Sequence, residues 1–188
     1  VGELLAESGL RLRDLDAIGF GAGPGGFTGL RLACAVAQGL AFGADLPVIA
    51  VGSLEALAWG SGARRAYACV DARMGEVYCA AYERALAEPI PVIAPCVCPP
   101  RDAPAPPGEG WSGVGNGIGT CLQAAPERFA SFLAIGGRAV PEARAVAELA
   151  VARFARGEWL DPEAAVPIYV RDKVALTRDE RRLRGIQA

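Results

Sequence analysis

The sequence predicts an α/β fold, and three features carry that prediction. Strand-like and helix-like runs alternate between Asp16 and Trp59 in the order strand, helix, strand, helix, the pattern of an α/β layer with some parallel pairing. Past Gly60-Ser61-Gly62 the pattern changes to two β runs about a tight turn. Hydrophobic residues make up 52% of the 188 positions and charged residues 21%, which is enough apolar material for a core and excludes a largely disordered chain.

The elements follow in order. Val1–Gly9 reads as the last turns of a helix stopped by Ser8-Gly9, and so abrupt a start leads us to expect a segment upstream of Val1. Asp16–Phe20 is a short strand that runs into the glycine-rich turn Gly21–Gly26. A helix from Thr28 to Phe42 follows, with Gly43 placed as its C-cap. Leu46–Val51 is an apolar strand, and Ser53 is placed to N-cap a helix over Leu54–Trp59. Arg65–Asp71 and Glu76–Tyr82 form a hairpin with Gly75 in its turn. Residues 89–107 hold eight of the fourteen prolines, which predicts an extended edge strand and loop. Trp111–Gly119 reads as a strand and glycine-rich turn, with helices at Thr120–Ala125 and Glu142–Arg156 and an extended segment at Ala165–Arg171. The tail from Arg171 to Ala188 carries six basic and three acidic residues, a solvated terminus or a contact for an anionic partner.

Composition excludes several chemistries. Histidine is absent, so Ser-His-Asp and Cys-His nucleophiles and H-E-x-x-H zinc sites are ruled out. Lys173 is the only lysine and follows no glycine-rich run, which rules out a Walker nucleotide-binding loop. A net charge of −2 excludes a nucleic-acid binder driven by bulk charge. Cys34, Cys69 and Cys79 sit in apolar runs, Cys96 and Cys98 form a lone C-x-C, and Cys121 stands apart. That spacing lacks the paired ligands of a thiolate zinc site, so neither a metal nor a disulfide is expected, and the cysteine usage suits a reducing compartment. The apolar run Leu32–Ala44 is thirteen residues long, short of the ~20 that a membrane span needs.

Gly21-x-Gly23-x-x-Gly26 matches the spacing of a dinucleotide fingerprint, but Ala50-Val51-Gly52 at the end of the next strand offers no ribose-binding acid. A tight strand-to-helix connection competes with that reading. Amides at the helix start make Gly25, Gly26 and Thr28 anion-site candidates. Asp71, Arg73 and Glu76 form a polar cluster at the hairpin tip, read as turn chemistry or as a partner contact.

The longer strings are more specific. Gly23-Pro-Gly-Gly-Phe-Thr-Gly-Leu-Arg31, Ala37-Gln-Gly-Leu-Ala41, Pro47–Leu57, Asp71-Ala-Arg-Met-Gly-Glu-Val-Tyr78 and Pro167-Ile-Tyr-Val-Arg171 occur in this order, and together they resemble the TsaB (YeaZ) family. Two departures stand out. The family's first strands have no counterpart here, and Gly26 replaces the usual serine of G-P-G-S-F-T-G. The resemblance implies a two-lobed actin-like (ASKHA, RNase H-like) fold with residues 1–62 as a partial first lobe and 63–188 as the second. It implies a cytoplasmic, non-catalytic scaffold that supports a TsaD-like catalytic paralogue together with a TsaE-like ATPase. That complex forms threonylcarbamoyladenosine beside the anticodon of tRNA. Cofactors would then be none of the chain's own, with ATP or ADP acting at the level of the complex. An autonomous actin-like enzyme, either a glycoprotease-like peptidase or an ATP-dependent kinase, is the alternative.

The helix from Thr28 is the expected partner surface. Helical spacing groups Leu32, Val36 and Leu40, which we expect to lie on the strands, and turns Arg31, Cys34, Ala35, Gln38 and Phe42 outward. Gly29, Ala33, Ala37 and Ala41 form a ridge of small side chains suited to close helix contact. The resemblance implies pairing through first-lobe helices, with the paralogue or as a homodimer when that partner is absent.

Overall fold

The computed structural model describes residues 1–136 and 140–171; apart from Arg171 the basic tail lies outside them. A short helix α1 (Gly2–Ser8) ends at Gly9 in the left-handed conformation. Strand β1 (Ile18–Gly23), helix α2 (Phe27–Ala44) and strand β2 (Val48–Gly52) then make a parallel β-α-β unit, with Ile18 opposite Val48 and Phe20 opposite Ala50. Alternation along the strands divides their side chains between two faces. Ile18, Phe20, Ala22, Val48 and Ala50 meet α2, while Ala17, Ile49 and Val51 face the other way.

Helix α3 (Ser53–Gly60) is the hinge piece between two sheets. Its Ala56 packs with the first sheet, and its Leu54, Leu57 and Ala58 pack on the second. The second sheet is built from β3 (Arg65–Arg73), β4 (Glu76–Arg84), β5 (Pro89–Cys98), β6 (Ser112–Val114) and β7 (Ala134–Ile135). Their spatial order is β5-β4-β3-β6-β7, antiparallel among the first three and parallel from β3 through β6 to β7. The proline-rich strand is at the edge, where missing amide donors cost no ladder bonds. Helix α4 (Ile118–Ala124) covers the face opposite α3, over a core of Tyr67, Val77, Trp111 and Phe129.

Helix α5 (Ala143–Ala155) follows and does not stay with the second sheet. Its Ala145, Val146, Leu149 and Ala150 pack on Ile49, Val51 and Ala56, and Leu160 bridges the outer edge of β2 at Val48. The first sheet is therefore sandwiched between α2 and α5, and assigning all of 63–188 to the second lobe needs correction. Sequence order put α5 after the second sheet; its small, apolar face takes it back to the first.

Other boundaries shift for local reasons. Gly43 lies within α2, and Asp45 supplies the left-handed C-cap at φ 57°, a conformation that a short acidic side chain tolerates. Gly52 rather than Ser53 is the N-cap of α3, because Glu55 reaches back to accept the Gly52 N–H at 3.3 Å. The hairpin turn carries Arg73, Met74 and Gly75 all at positive φ. Ala165–Arg171 is extended but adds no strand; its Ile168 N–H donates to the Ala22 carbonyl at 2.8 Å.

At 18 residues and mean hydropathy 1.3, α2 is long and apolar enough to cross a membrane. Its position explains that composition differently. It is the crossover between two paired parallel strands, and spanning a bilayer would pull β1 from β2.

Candidate functional site

Helix α2 is apolar on all sides, so periodicity alone could not fix which face meets the sheet. The structure buries Cys34, Ala37 and Ala41 against β1 and β2. Two of the five residues expected on the outer face are thus turned inward. The Cys34 thiol and the Gln38 amide both donate to the Ala165 carbonyl, at 3.3 and 3.1 Å. The small ridge is also corrected in part, since Ala37 and Ala41 let α2 sit close to its own sheet. Leu32 and Val36, expected on the strands, are 63% and 47% exposed, and only Leu40 is half-buried. The outer stripe is Leu32, Ala35, Val36, Gly39 and Phe42, all exposed, and the sole charge on α2 is Arg31.

The N-terminal end of α2 opens on a cleft of about 250 Å³ between the lobes. The turn Pro24–Gly26, Phe27 and Leu30 line one wall, and the hairpin tip Ala72–Met74 with Tyr78 lines the other. The closing segment Ile168–Arg171 runs between them. Arg31 lies 3.6 Å over the Phe27 ring and donates to the Tyr169 hydroxyl at 3.2 Å. Gly26 is the N-cap and brings no side chain to the helix end, while Gly25 is half-buried. Thr28 sits inside the first turn rather than at the cap, and it is exposed. Of the three anion-site candidates, Gly25 and Gly26 line this cleft and Thr28 does not.

The hairpin cluster resolves into two sets of contacts. Asp71 accepts the Arg73 N–H at 2.8 Å, and the Asp71 N–H donates to the Asn116 side chain at 3.0 Å, which is turn chemistry. Glu76 instead pairs with Arg171 at 2.6 Å, and Arg171 also donates to the Ala72 carbonyl at 3.1 Å. The closing motif Pro167–Arg171 therefore clasps the hairpin tip, a contact the sequence reading missed because its partners lie 95 residues apart.

A neighbouring cleft of about 490 Å³ is lined by Gly52, Glu55, Tyr82, Pro89, Arg153 and Ile168. Arg153 donates to Glu55 at 2.5 Å and to the Ala50 carbonyl at 2.6 Å. Burial pushes the Tyr82 hydroxyl well above the usual phenol range, with the Glu55 charge adding and Arg153 opposing. That keeps it a neutral hydroxyl at physiological pH. The dinucleotide reading fails here on geometry. Gly21 and Gly23 belong to β1 rather than to a loop, and the carboxylate nearest the end of β2, Glu55, is committed to Gly52 and Arg153.

Comparisons with known proteins agree with this architecture. The family profile described as "TsaD: tRNA N6-adenosine threonylcarbamoyltransferase" matches residues 1–175. The TsaB protein of Escherichia coli K12 is 37% identical over 93% of this chain and 79% of its own length. The Haemophilus influenzae TsaB is 35% identical over 93% and 78%. The solved structure of YeaZ from Pseudomonas aeruginosa superposes with a TM-score of 0.82 at 39% identity, covering 89% of this chain and 79% of that one. Two lobes on an actin-like plan, the glycine-rich entry to α2 and these relatives together assign the chain to the TsaB (YeaZ) family.

Proposed function

We propose that this chain acts in tRNA threonylcarbamoyladenosine biosynthesis as a non-catalytic subunit that binds a TsaD-like paralogue. The observation that carries the reading is the outer stripe of α2. Leu32, Val36 and Phe42 are 63%, 47% and 58% exposed on one helix face, with Ala35 and Gly39 between them and no charge on the stripe. A contiguous apolar face on a surface helix is the mark of a protein partner. The relatives' names supply the pathway. On this reading the partner carries the chemistry, and a TsaE-like ATPase brings ATP turnover to the assembly. The tRNA is then met through the complex in the cytoplasm. A homodimer through the same stripe forms when the paralogue is absent. The sequence supports the non-catalytic role, because a chain without histidine has no imidazole to serve as a general base.

The test is binding to the purified paralogue by calorimetry. Ala35 is exposed, so Ala35→Arg is expected to leave the melting temperature within about 2 °C. It should weaken association by roughly 2–4 kcal/mol, since an unpaired guanidinium would be buried at the interface. Wild-type affinity in the variant would place the interface elsewhere, and early melting would make the face an internal one.

A further inference from the structure

Five of the six cysteines gather between the second sheet and α4. Cys69 Sγ lies 3.5 Å from Cys121 Sγ, and Cys79 Sγ lies 3.4 Å from Cys96 Sγ. The expectation of no thiolate set rested on linear spacing, in which Cys96-x-Cys98 stood alone. The fold supplies the missing member from the next strand. Cys79 on β4 is directly opposite Cys96 on β5, and Cys98 two residues on, opposite Val77, lies on the same face. The three sulfurs all fall within 4.8 Å of one another.

We propose that Cys79, Cys96 and Cys98 form a binding site for a soft, thiophilic d¹⁰ cation. Three thiolates at about 2.3 Å from one ion in a trigonal plane lie roughly 4 Å apart, so the observed spacing needs only small side-chain adjustments. Two hydrogen-bonded strands hold the ligands, which pre-forms the site. Cys79 is buried, while Cys96 and Cys98 on the edge strand are half-buried, leaving a route for the ion from solvent. Packing as small hydrophobes accounts for Cys69 and Cys121, which are fully buried; it accounts less well for two partly exposed cysteines at a sheet edge. Soft sulfur ligands select Cu(I) and Zn(II). A set of three is complete for trigonal Cu(I) and one short for tetrahedral Zn(II). Binding releases thiol protons to solvent and changes no oxidation state. Once bound, the ion would pin the edge strand to its neighbour.

The test uses the whole chain, reduced with a phosphine and desalted without oxygen. It is titrated with Cu(I) delivered from bicinchoninate and, separately, with Zn(II) delivered from a chromophoric chelator. One Cu(I) per chain should be withdrawn from the competitor. The Cys96→Ser/Cys98→Ser double variant, shown folded by circular dichroism, should lose about 100-fold or more in affinity, while Cys34→Ser in the first lobe keeps it. The same pattern with Zn(II) supports the site and identifies zinc, with an added ligand, as its ion. Retention of neither ion, or equal retention by the double variant, overturns the proposal. So does a Cys79–Cys96 crosslink in protein isolated without reductant, since that pair would then be spent as a disulfide.

Discussion

Arg153→Met should lower the unfolding free energy by about 3 kcal/mol, because it leaves a nearly buried carboxylate without its cation. The Arg153 and Glu55 side chains are 20% and 12% exposed, and their ion pair is 2.5 Å long. The same guanidinium satisfies the Ala50 carbonyl, and Glu55 accepts the N–H of Gly52, the N-cap of α3. One residue of α5 thus ties β2 and α3 together at the wall of the cleft of about 490 Å³. The loss divides between the stranded charge and the orphaned carbonyl, each of which costs more than the net worth of an ordinary hydrogen bond. Adding Glu55→Leu to Arg153→Met should recover part of the stability, since replacing both members of a buried pair by apolar groups is often close to neutral. Urea unfolding with an unchanged slope measures both effects. A loss below 1 kcal/mol in the single variant, or no recovery in the double one, would contradict this reading.

Gly115→Ala is the second large effect, expected to exceed about 3 kcal/mol or to leave the protein insoluble. Gly115 follows β6 at φ 102°, and a Cβ there would lie 2.2 Å from the Cys69 carbonyl oxygen and 2.9 Å from Leu57 Cδ2. The first of these neighbours is strand backbone, which cannot yield. The close approach serves the site indirectly. It lets the Gly117 N–H donate to the Cys69 carbonyl at 3.0 Å and brings the Asn116 side chain to the Asp71 N–H, fixing the hairpin that forms one wall of the cleft. Gly119→Ala is the control. It lies inside α4 with open space where the methyl would go, and it should be neutral or stabilising by up to about 1 kcal/mol. Comparable thermal shifts for the two variants would show that the close contact at Gly115 does not matter.

Local chemistry made much of this fold legible. The hairpin could be read from two alternating runs about Gly75, and the edge strand from its prolines. The β-α-β unit was visible in apolar strands flanking a long apolar helix. Its facing was not, because α2 has apolar residues in every direction. Whether Ala37 or Leu32 meets the sheet is decided by tertiary packing, in which Cys34, Ala37 and Ala41 fit against Phe20, Ala22 and Val48. The return of α5, the clasp of Arg171 on Glu76 and the meeting of Cys79 with Cys96 and Cys98 all depend on tertiary register. Reading along the chain treats such residues as strangers. Of the site residues, Arg31, Ala35 and Phe42 stand where periodicity put them, and Cys34 and Gln38 instead anchor the segment at Ala165.

The central claim is that this chain serves a catalytic partner through the outer face of α2. It is tested most directly by threonylcarbamoyl transfer to tRNA, reconstituted from the TsaD-like paralogue and TsaE-like ATPase with this chain added in increasing amounts. The expected result is no transfer by the chain alone and transfer by the paralogue that rises with added wild-type chain. Ala35→Arg should shift that dependence at least about tenfold to higher concentration while an excess restores the rate, as mass action requires of a weakened partner. Transfer catalysed by the chain without the paralogue, or an Ala35→Arg curve that overlays the wild type, would contradict the account.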